Sequence, residues 1–133
     1  MSKTYTGACL CGAVQFQLQG EFERFYFCYC RRCRKDSGSA HAANLFSSSM
    51  RLEWLAGQAQ TQTYQLPGTR HTRCFCKVCG SAMPYAIAGM VVVPAGSLET
   101  EVLQMPDAHL FVASQAAWVQ HQPDTTGFDT LPV

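Results

Sequence analysis

Hydrophobic and polar positions alternate in short stretches along the chain, a pattern typical of β-strands. V-Q-F-Q-L-Q-G, from Val14 to Gly20, alternates strictly and ends in glycine, which predicts a half-buried strand. Further strand-like stretches are R-F-Y-F-C-Y-C, A-H-A-A-N-L-F, T-Q-T-Y-Q-L, the segment 70–76, M-P-Y-A-I-A-G, M-V-V-V-P-A-G and H-L-F-V. A short helix is favoured only at 114–119. The sequence therefore predicts a mainly β fold of many short antiparallel strands, arranged as a sandwich or barrel-like domain with little helix.

The composition fits one domain with a substantial core. The chain has 133 residues, of which 47% are hydrophobic and 14% charged, and this argues against disorder. We expect a single domain over 1–133, with a core from about residue 5 to 120 and a loop-like C-terminal tail. The formal net charge of +1 argues against nucleic acid or a membrane as partner. No signal peptide or stretch of about 18 apolar residues is visible, so we expect a cytoplasmic location where thiols stay reduced.

Eight cysteines fall into three clusters, each of which contains C-x-C. The clusters are A-C-L-C-G, F-C-Y-C-R-R-C and R-C-F-C-K-V-C-G. In an extended strand, residues i and i+2 lie on one face, so each C-x-C brings two thiols together. Gly12 and Gly80 follow cysteines at positions suited to tight turns. Two glycine-terminated pairs then predict a closed four-cysteine zinc site, built from Cys9, Cys11, Cys76 and Cys79.

The remaining cysteines allow more than one arrangement. Cys28, Cys30 and Cys33 supply three ligands, and Cys74 is the remaining cysteine of the third cluster. Cys74 could complete a second closed structural site. Alternatively, three thiolates could hold a zinc whose fourth position is open to water or to a substrate thiol, as catalytic sites require. His41 is a third candidate for the fourth ligand.

Five motifs in order resemble the glutathione-dependent formaldehyde-activating enzyme family, which also includes centromere protein V. They are G-A-C-L-C-G-A-V-Q-F, C-Y-C-R-R-C-R-K-D-S-G-S-A, R-C-F-C-K-V-C-G-S-A-M-P-Y, A-G-S-L and H-L-F-V-A-S-Q-A-A-W. The similarity runs from about Tyr5 to Trp118. It implies a β-rich zinc-binding fold with two zincs per chain.

The resemblance also implies ligand sets for both metals. The structural zinc maps onto the same four cysteines that the spacing selected. The second zinc maps onto Cys28, Cys30 and Cys33, with three protein ligands. A cysteine is unusual in the family at the position of Cys74. Because this chain has one there, a second closed four-cysteine site remains an alternative.

The activity implied by the resemblance is addition of glutathione to formaldehyde, with carbon–sulfur lyase chemistry in reverse. Three thiolates on Zn²⁺ leave a net charge of −1, which favours delivery of a nucleophilic thiolate over polarisation of a carbonyl. Four basic residues around Cys33 would offset that charge and hold the carboxylates of glutathione, or instead form a solvated surface; they are Arg31, Arg32, Arg34 and Lys35. Tyr29, Tyr85 and His41 are candidate proton donors.

Two other functions are compatible with the same residues. One is a non-catalytic, zinc-stabilised binding module that contacts a partner through the basic residues 31–35. The other is a zinc enzyme that acts on a different thiol. Trp54 and Trp118 are predicted to lie in the core.

Overall fold

Short strands dominate the molecule. The structure is a computed structural model that describes residues 3–120 and 124–132. The strands of this part are β1 (Lys3–Ala8), β2 (Gln15–Gly20), β3 (Arg24–Cys28), β4 (Ala42–Ser47), β5 (Arg51–Ala56), β6 (Thr61–Gln65), β7 (Thr72–Cys76), β8 (Ala82–Met83), β9 (Tyr85–Ile87), β10 (Met90–Pro94) and β11 (Ala108–Leu110). Two short helices accompany them, α1 (Arg31–Ser37) and α2 (Ala117–Gln120). The prediction of a mainly β domain with little helix is confirmed.

The strands form three sheets, and none of them closes into a barrel. Their orders are β1-β2-β5, β11-β3-β4-β10-β9 and β6-β7-β8. All pairings are antiparallel except that of β11 with β3, which is parallel and places Leu110 opposite Cys28. That pairing brings the late part of the chain to the end of β3, where the second cysteine cluster begins.

The core lies where the inner faces of the sheets meet. Phe16 and Leu18 alternate inward along β2 and are fully buried, as the strict alternation of that stretch predicts. Leu45, Met83 and Val93 join them from the other two sheets. Trp54 packs edge-on against Phe16, with ring centroids 6.1 Å apart, and is partly buried.

Two local predictions are wrong. The segment 31–37 was not expected to be helical, because R-R-C-R-K-D-S has no apolar periodicity; the Cys30 side chain caps the start of α1, and Gly38 (φ 61°) ends it. Trp118, expected in the core, is 62% exposed on the one-turn α2. Both short helices thus lie on the surface. Within the described residues, no helix is long and apolar enough to cross a membrane.

Candidate metal centres and the adjoining cavity

The first and third cysteine clusters meet in space. Cys9 and Cys11 lie in the turn after β1, while Cys76 ends β7 and Cys79 lies in the turn that follows. The four thiols are all within 4.8 Å of one another. We call this group the four-thiol cluster.

Two backbone turns hold the four-thiol cluster in place. The N–H of Gly12 donates to the carbonyl of Cys9 at 3.1 Å, and the N–H of Gly80 donates to the carbonyl of Cys76 at 2.8 Å. Both glycines have positive φ, 82° and 79°, as the predicted tight turns require. The C-x-C of the first cluster is therefore brought together by a turn, whereas the sequence pattern predicted a strand.

The spacing of the sulfurs fits a tetrahedral metal site. Zinc–sulfur bonds of about 2.3 Å place the sulfurs of a tetrahedron roughly 3.8 Å apart. The Cys9 and Cys11 sulfurs are 3.6 Å apart, and those of Cys11 and Cys76 are 4.0 Å apart. These distances are far longer than a disulfide bond of about 2.05 Å. The cluster could therefore hold a metal ion.

The thiols of this cluster differ in acidity because they are crowded. The Ser81 hydroxyl, 3.2 Å from the Cys79 sulfur, and the backbone N–H of Cys11 lower the pKa of Cys79 to about 5. At Cys11 the backbone N–H of Ala13 lowers the pKa, but local desolvation and the neighbouring thiols of Cys9, Cys79 and Cys76 outweigh it and raise the pKa to about 11. Crowded acidic groups cannot all ionise unaided, and a divalent cation would let them do so.

The second cysteine cluster spans the end of β3 and the start of α1. The sulfurs of Cys28, Cys30 and Cys33 lie within 4.8 Å of one another. We call them the three-thiol cluster. The backbone N–H of Cys33 donates to the Cys30 sulfur at 3.4 Å, so Cys30 serves at once as the helix cap and as a member of the cluster. The end of a strand and a helix cap thus bring the thiols together, whereas the sequence pattern predicted an extended C-x-C.

Burial sets the acidity of the three-thiol cluster. Burial and the adjacent thiol of Cys28 raise the pKa of Cys33, and burial also raises the pKa of Cys28. Burial opposes ionisation of Cys30 too, but the backbone N–H of Cys33 lowers its pKa. Without a cation, the group retains protons that a bound metal would displace.

Cys74 lies outside both thiol groups as they stand in the structure. It is 3% exposed in β7, opposite Met83 of β8. Its side chain lines the same cavity as the three-thiol cluster. Cys76, two residues on, belongs to the four-thiol cluster. The position of Cys74 therefore leaves the three-thiol cluster with three members and a cysteine nearby.

A cavity of about 520 Å³ opens beside the three-thiol cluster. Its walls come from α1, β4, β7 and β9, and we call it the thiol cavity. Arg32, Arg70 and Arg73 line it, and Asp36 is the one acidic residue among the described residues that do so. The cavity is therefore suited to a ligand that carries negative charge.

The four basic residues around Cys33 do not act as one group. Of these four, Arg32 lines the thiol cavity. Arg31, Arg34 and Lys35 line a separate groove beside the exposed Trp118. The reason is the helical turn of α1, which sends residues three and four apart to the same face and places Arg32 on another. Arg31 and Lys35 also border a further groove together with Arg32. Arg34 also donates to the carbonyl of Ser114 at 3.0 Å.

His41 lines the thiol cavity but lies outside the three-thiol cluster. Its ring stacks on Phe27 with centroids 4.2 Å apart, and its Nδ1 is buried without a hydrogen-bond partner among the described residues. Burial and the nearby His109 lower the pKa of His41, which favours the neutral ring.

The two candidate tyrosines have different surroundings. The Tyr29 hydroxyl is 3.0 Å from Nδ1 of His109, outside the thiol cavity. Tyr85 lines the cavity, and burial, with contributions from Cys33 and Asp36, raises the pKa of Tyr85 to about 12. Tyr85 is thus placed as a permanent hydroxyl donor, whereas Tyr29 is engaged with a histidine.

Sequence analysis missed a carboxylate–imidazole pair in the thiol cavity. Nε2 of His71 is 2.5 Å from Oδ2 of Asp36, and both side chains line the cavity. The two residues are 35 positions apart, and neither lies in a motif of spaced ligands. The one available signal was the placement of each residue three positions from a cysteine, Cys33 for Asp36 and Cys74 for His71.

Comparison with known proteins fixes the family. The family model described as glutathione-dependent formaldehyde-activating enzyme matches residues 4–114. The chain belongs to this family. A crystal structure of a Rhodobacter sphaeroides protein is similar to the chain, with 26% sequence identity and a TM-score of 0.53, over 78% of this chain and 98% of that one. A search of the curated proteins gave no match. The resemblance found in the cysteine motifs is therefore confirmed.

Proposed function

We propose that this member of the formaldehyde-activating enzyme family joins glutathione to formaldehyde, giving S-hydroxymethylglutathione, and cleaves the same carbon–sulfur bond in reverse. The observation that carries the proposal is the thiol cavity: three clustered thiols at the edge of a 520 Å³ space that three arginines line. Membership of the family supports the same chemistry.

We propose two zincs for the chain. The four-thiol cluster would hold a structural zinc with a complete sulfur shell, and the three-thiol cluster would hold a second zinc. Zinc bound at the second position would supply acidification of an incoming thiol, so that its sulfur reacts as the thiolate. The residues fit this role because their three sulfurs lie within 4.8 Å of one another and no described cysteine forms a disulfide.

The cavity walls would bind and orient the thiol. Arg32, Arg70 and Arg73 are positioned to hold carboxylates, and glutathione carries two of them. The Tyr85 hydroxyl, protonated at neutral pH, can donate to the oxygen of the adduct. His41, with its buried unpartnered Nδ1, can accept or donate a hydrogen bond once a ligand fills the cavity.

The proposal is tested by nuclear magnetic resonance on the zinc-loaded protein. Glutathione should shift the backbone signals of residues that line the thiol cavity outside α1, such as Ala42, Thr72 and Tyr85, and S-methylglutathione, which lacks the thiol, should shift them less. Exchange spectroscopy with glutathione and formaldehyde should then show faster interconversion of free and hydroxymethylated thiol than in buffer. Unchanged exchange would contradict the proposal. Faster exchange with cysteine than with glutathione would indicate a different thiol substrate.

One observation favours a second candidate, a binding module. Arg31, Arg34 and Lys35 share a groove with Trp118, away from the thiol cavity. Three cations beside an exposed indole could contact an anionic partner. Glutathione shifts confined to this groove, with none around the thiol cavity, would favour that function over catalysis.

A further inference from the structure

The Asp36–His71 pair joins two elements across the thiol cavity. Asp36 lies on α1, three residues after Cys33, and His71 immediately precedes β7. The side chains are 27% and 19% exposed, so the pair is largely shielded while one side borders the cavity. We propose that His71, oriented by Asp36, transfers the proton when a thiol adds to an aldehyde in this cavity. The inference rests on the proposed function and assigns its acid–base residue.

Two backbone hydrogen bonds position His71. Its N–H donates to the Thr69 hydroxyl at 3.1 Å, and its carbonyl accepts from the N–H of Leu66 at 2.9 Å. These bonds close the turn between β6 and β7. The imidazole therefore projects from a fixed turn, and the pair with Asp36 sets its remaining rotation.

The pairing also selects the tautomer. A carboxylate accepts hydrogen bonds, so the 2.5 Å contact requires the proton on Nε2 of His71. The lone pair is then on Nδ1, and no described residue hydrogen-bonds to this atom. His71 is thus equipped as a base that Asp36 orients, the arrangement that orients catalytic histidines in general.

The reaction needs one proton to move from sulfur to oxygen. As the thiol sulfur forms a bond to the aldehyde carbon, the C=O π bond opens and its electron pair goes to oxygen. Nδ1 of His71 would take the proton from the thiol and return the same proton to the new alkoxide. Reversal of these steps splits the adduct. No oxidant, reductant or further reactant is required.

The charges around the pair explain why Asp36 is needed. His71 borders both the thiol cavity and an adjoining groove that shares Arg32, Asp36 and Arg73 with it. The charged and titratable groups that line these spaces are Arg31, Arg32 and Lys35 of α1, Tyr64 of β6, Arg70, Arg73 and Cys74 beside or within β7, and Tyr85 of β9, together with Tyr26, His41 and the three-thiol cluster. The cations oppose a positive imidazolium, so the Asp36 carboxylate offsets them.

The test compares His71→Gln and Asp36→Asn with the wild-type zinc-loaded protein. Glutathione–formaldehyde exchange should slow by about 10²-fold or more in His71→Gln, because positioned acid–base groups contribute about that much. Asp36→Asn should retain partial activity, because the imidazole is still present but has lost the carboxylate that orients it.

His109→Gln is the matched control. His109 also hydrogen-bonds through its ring, to Tyr29, but it does not line the thiol cavity. The His109→Gln variant should catalyse glutathione–formaldehyde exchange at the wild-type rate. Nitrogen-15 spectra of the histidine rings provide a readout independent of activity, and they should show the Nε2–H tautomer at His71 in wild type and a change of tautomer balance in Asp36→Asn.

Each outcome decides the proposal. Wild-type exchange unaffected by His71→Gln, an Nδ1–H tautomer, or zinc lost together with activity in His71→Gln would overturn the role of His71 while leaving the proposed function intact. No acceleration by the wild-type protein would defeat both. Slow exchange in His71→Gln with full zinc content, together with partial activity and a changed tautomer balance in Asp36→Asn, would support it.

Discussion

The two thiol clusters are built from the same residue type but differ in the number of cysteines, in their separation along the chain and in their surroundings. The four-thiol cluster joins turns that are more than 60 residues apart in sequence, and Cys9 and Cys76 are buried within it. The three-thiol cluster is assembled locally between β3 and α1 and faces a cavity. A long-range, complete set of ligands stabilises a fold, whereas a local, incomplete set leaves a coordination position for a ligand. The predictions below test this difference.

The largest expected effect is loss of the fold when the four-thiol cluster is broken. Cys11 is exposed, so Cys11→Ser changes little packing and should cost at most about 0.5 kcal/mol if the thiol has no metal. We expect a loss of several kcal/mol or complete unfolding, because a structural zinc contributes folding free energy directly. Circular dichroism during thermal unfolding, with metal analysis, measures this. Cys79→Ser should behave in the same way.

A stable Cys11→Ser protein with full metal content would contradict the structural role of this cluster. Val78→Ala provides the matched control, because Val78 is 64% exposed in the same turn and contributes no ligand. It should unfold at the wild-type temperature.

The next effect is selective loss of the second metal. Cys33→Ser should remove one zinc and abolish acceleration of the exchange, while the domain stays folded because the four-thiol cluster is untouched. Metal analysis and far-ultraviolet circular dichroism check this. Cys74→Ser is the control and should retain both zincs. If Cys74→Ser also loses one zinc, Cys74 closes the second site and the cavity holds a structural metal.

A smaller effect is expected on glutathione affinity, and it should differ between the neighbouring residues Arg31 and Arg32. Arg32→Gln should weaken glutathione binding about tenfold, because a charge-assisted hydrogen bond contributes about 1.5–3 kcal/mol and about 1.4 kcal/mol corresponds to a factor of ten. Arg31→Gln should bind glutathione as wild type does, since Arg31 does not line the thiol cavity. Isothermal titration calorimetry measures both. If both variants bound glutathione equally weakly, the basic residues would act as one surface, and the distinction between Arg31 and Arg32 would be wrong.

The smallest effect concerns the ionisation of Tyr85. Its pKa is raised from the ordinary value of 10 to about 12 by burial and by nearby Cys33 and Asp36, so the folded state favours the neutral phenol. The associated stability is present below pH 10 and is lost as the pH rises through about 12. An ultraviolet difference titration of wild type against Tyr85→Phe should show this late ionisation. A tyrosine ionising near pH 10 would remove Tyr85 as a shielded donor.

Much of the fold and the cysteine pairing could be predicted from the sequence. The strict alternation of β2 predicted its buried face, and Gly80 predicted the turn that presents Cys79. The four-thiol cluster contains the four cysteines that spacing selected. These features depend on local periodicity and on ligand counting, both of which a sequence displays directly.

The rest depended on tertiary context. α1 is a polar helix of seven residues whose cap is a cysteine, so it lacks both apolar periodicity and a usual capping residue. Its helical turn places Arg32, but not Arg31, in the wall of the thiol cavity, a difference that their adjacency in sequence conceals. The Asp36–His71 pair requires α1 to meet the turn before β7, a contact that no local pattern encodes.

Zinc-edge X-ray absorption spectroscopy tests the contrast between the clusters most directly. Protein loaded with two zincs should show, on average, fewer than four sulfur ligands per metal, with the remainder nitrogen or oxygen. Addition of glutathione should complete the four-sulfur shell, and S-methylglutathione should not. A full four-sulfur shell at both metals before any thiol is added would show that the second cluster is closed and would contradict the account.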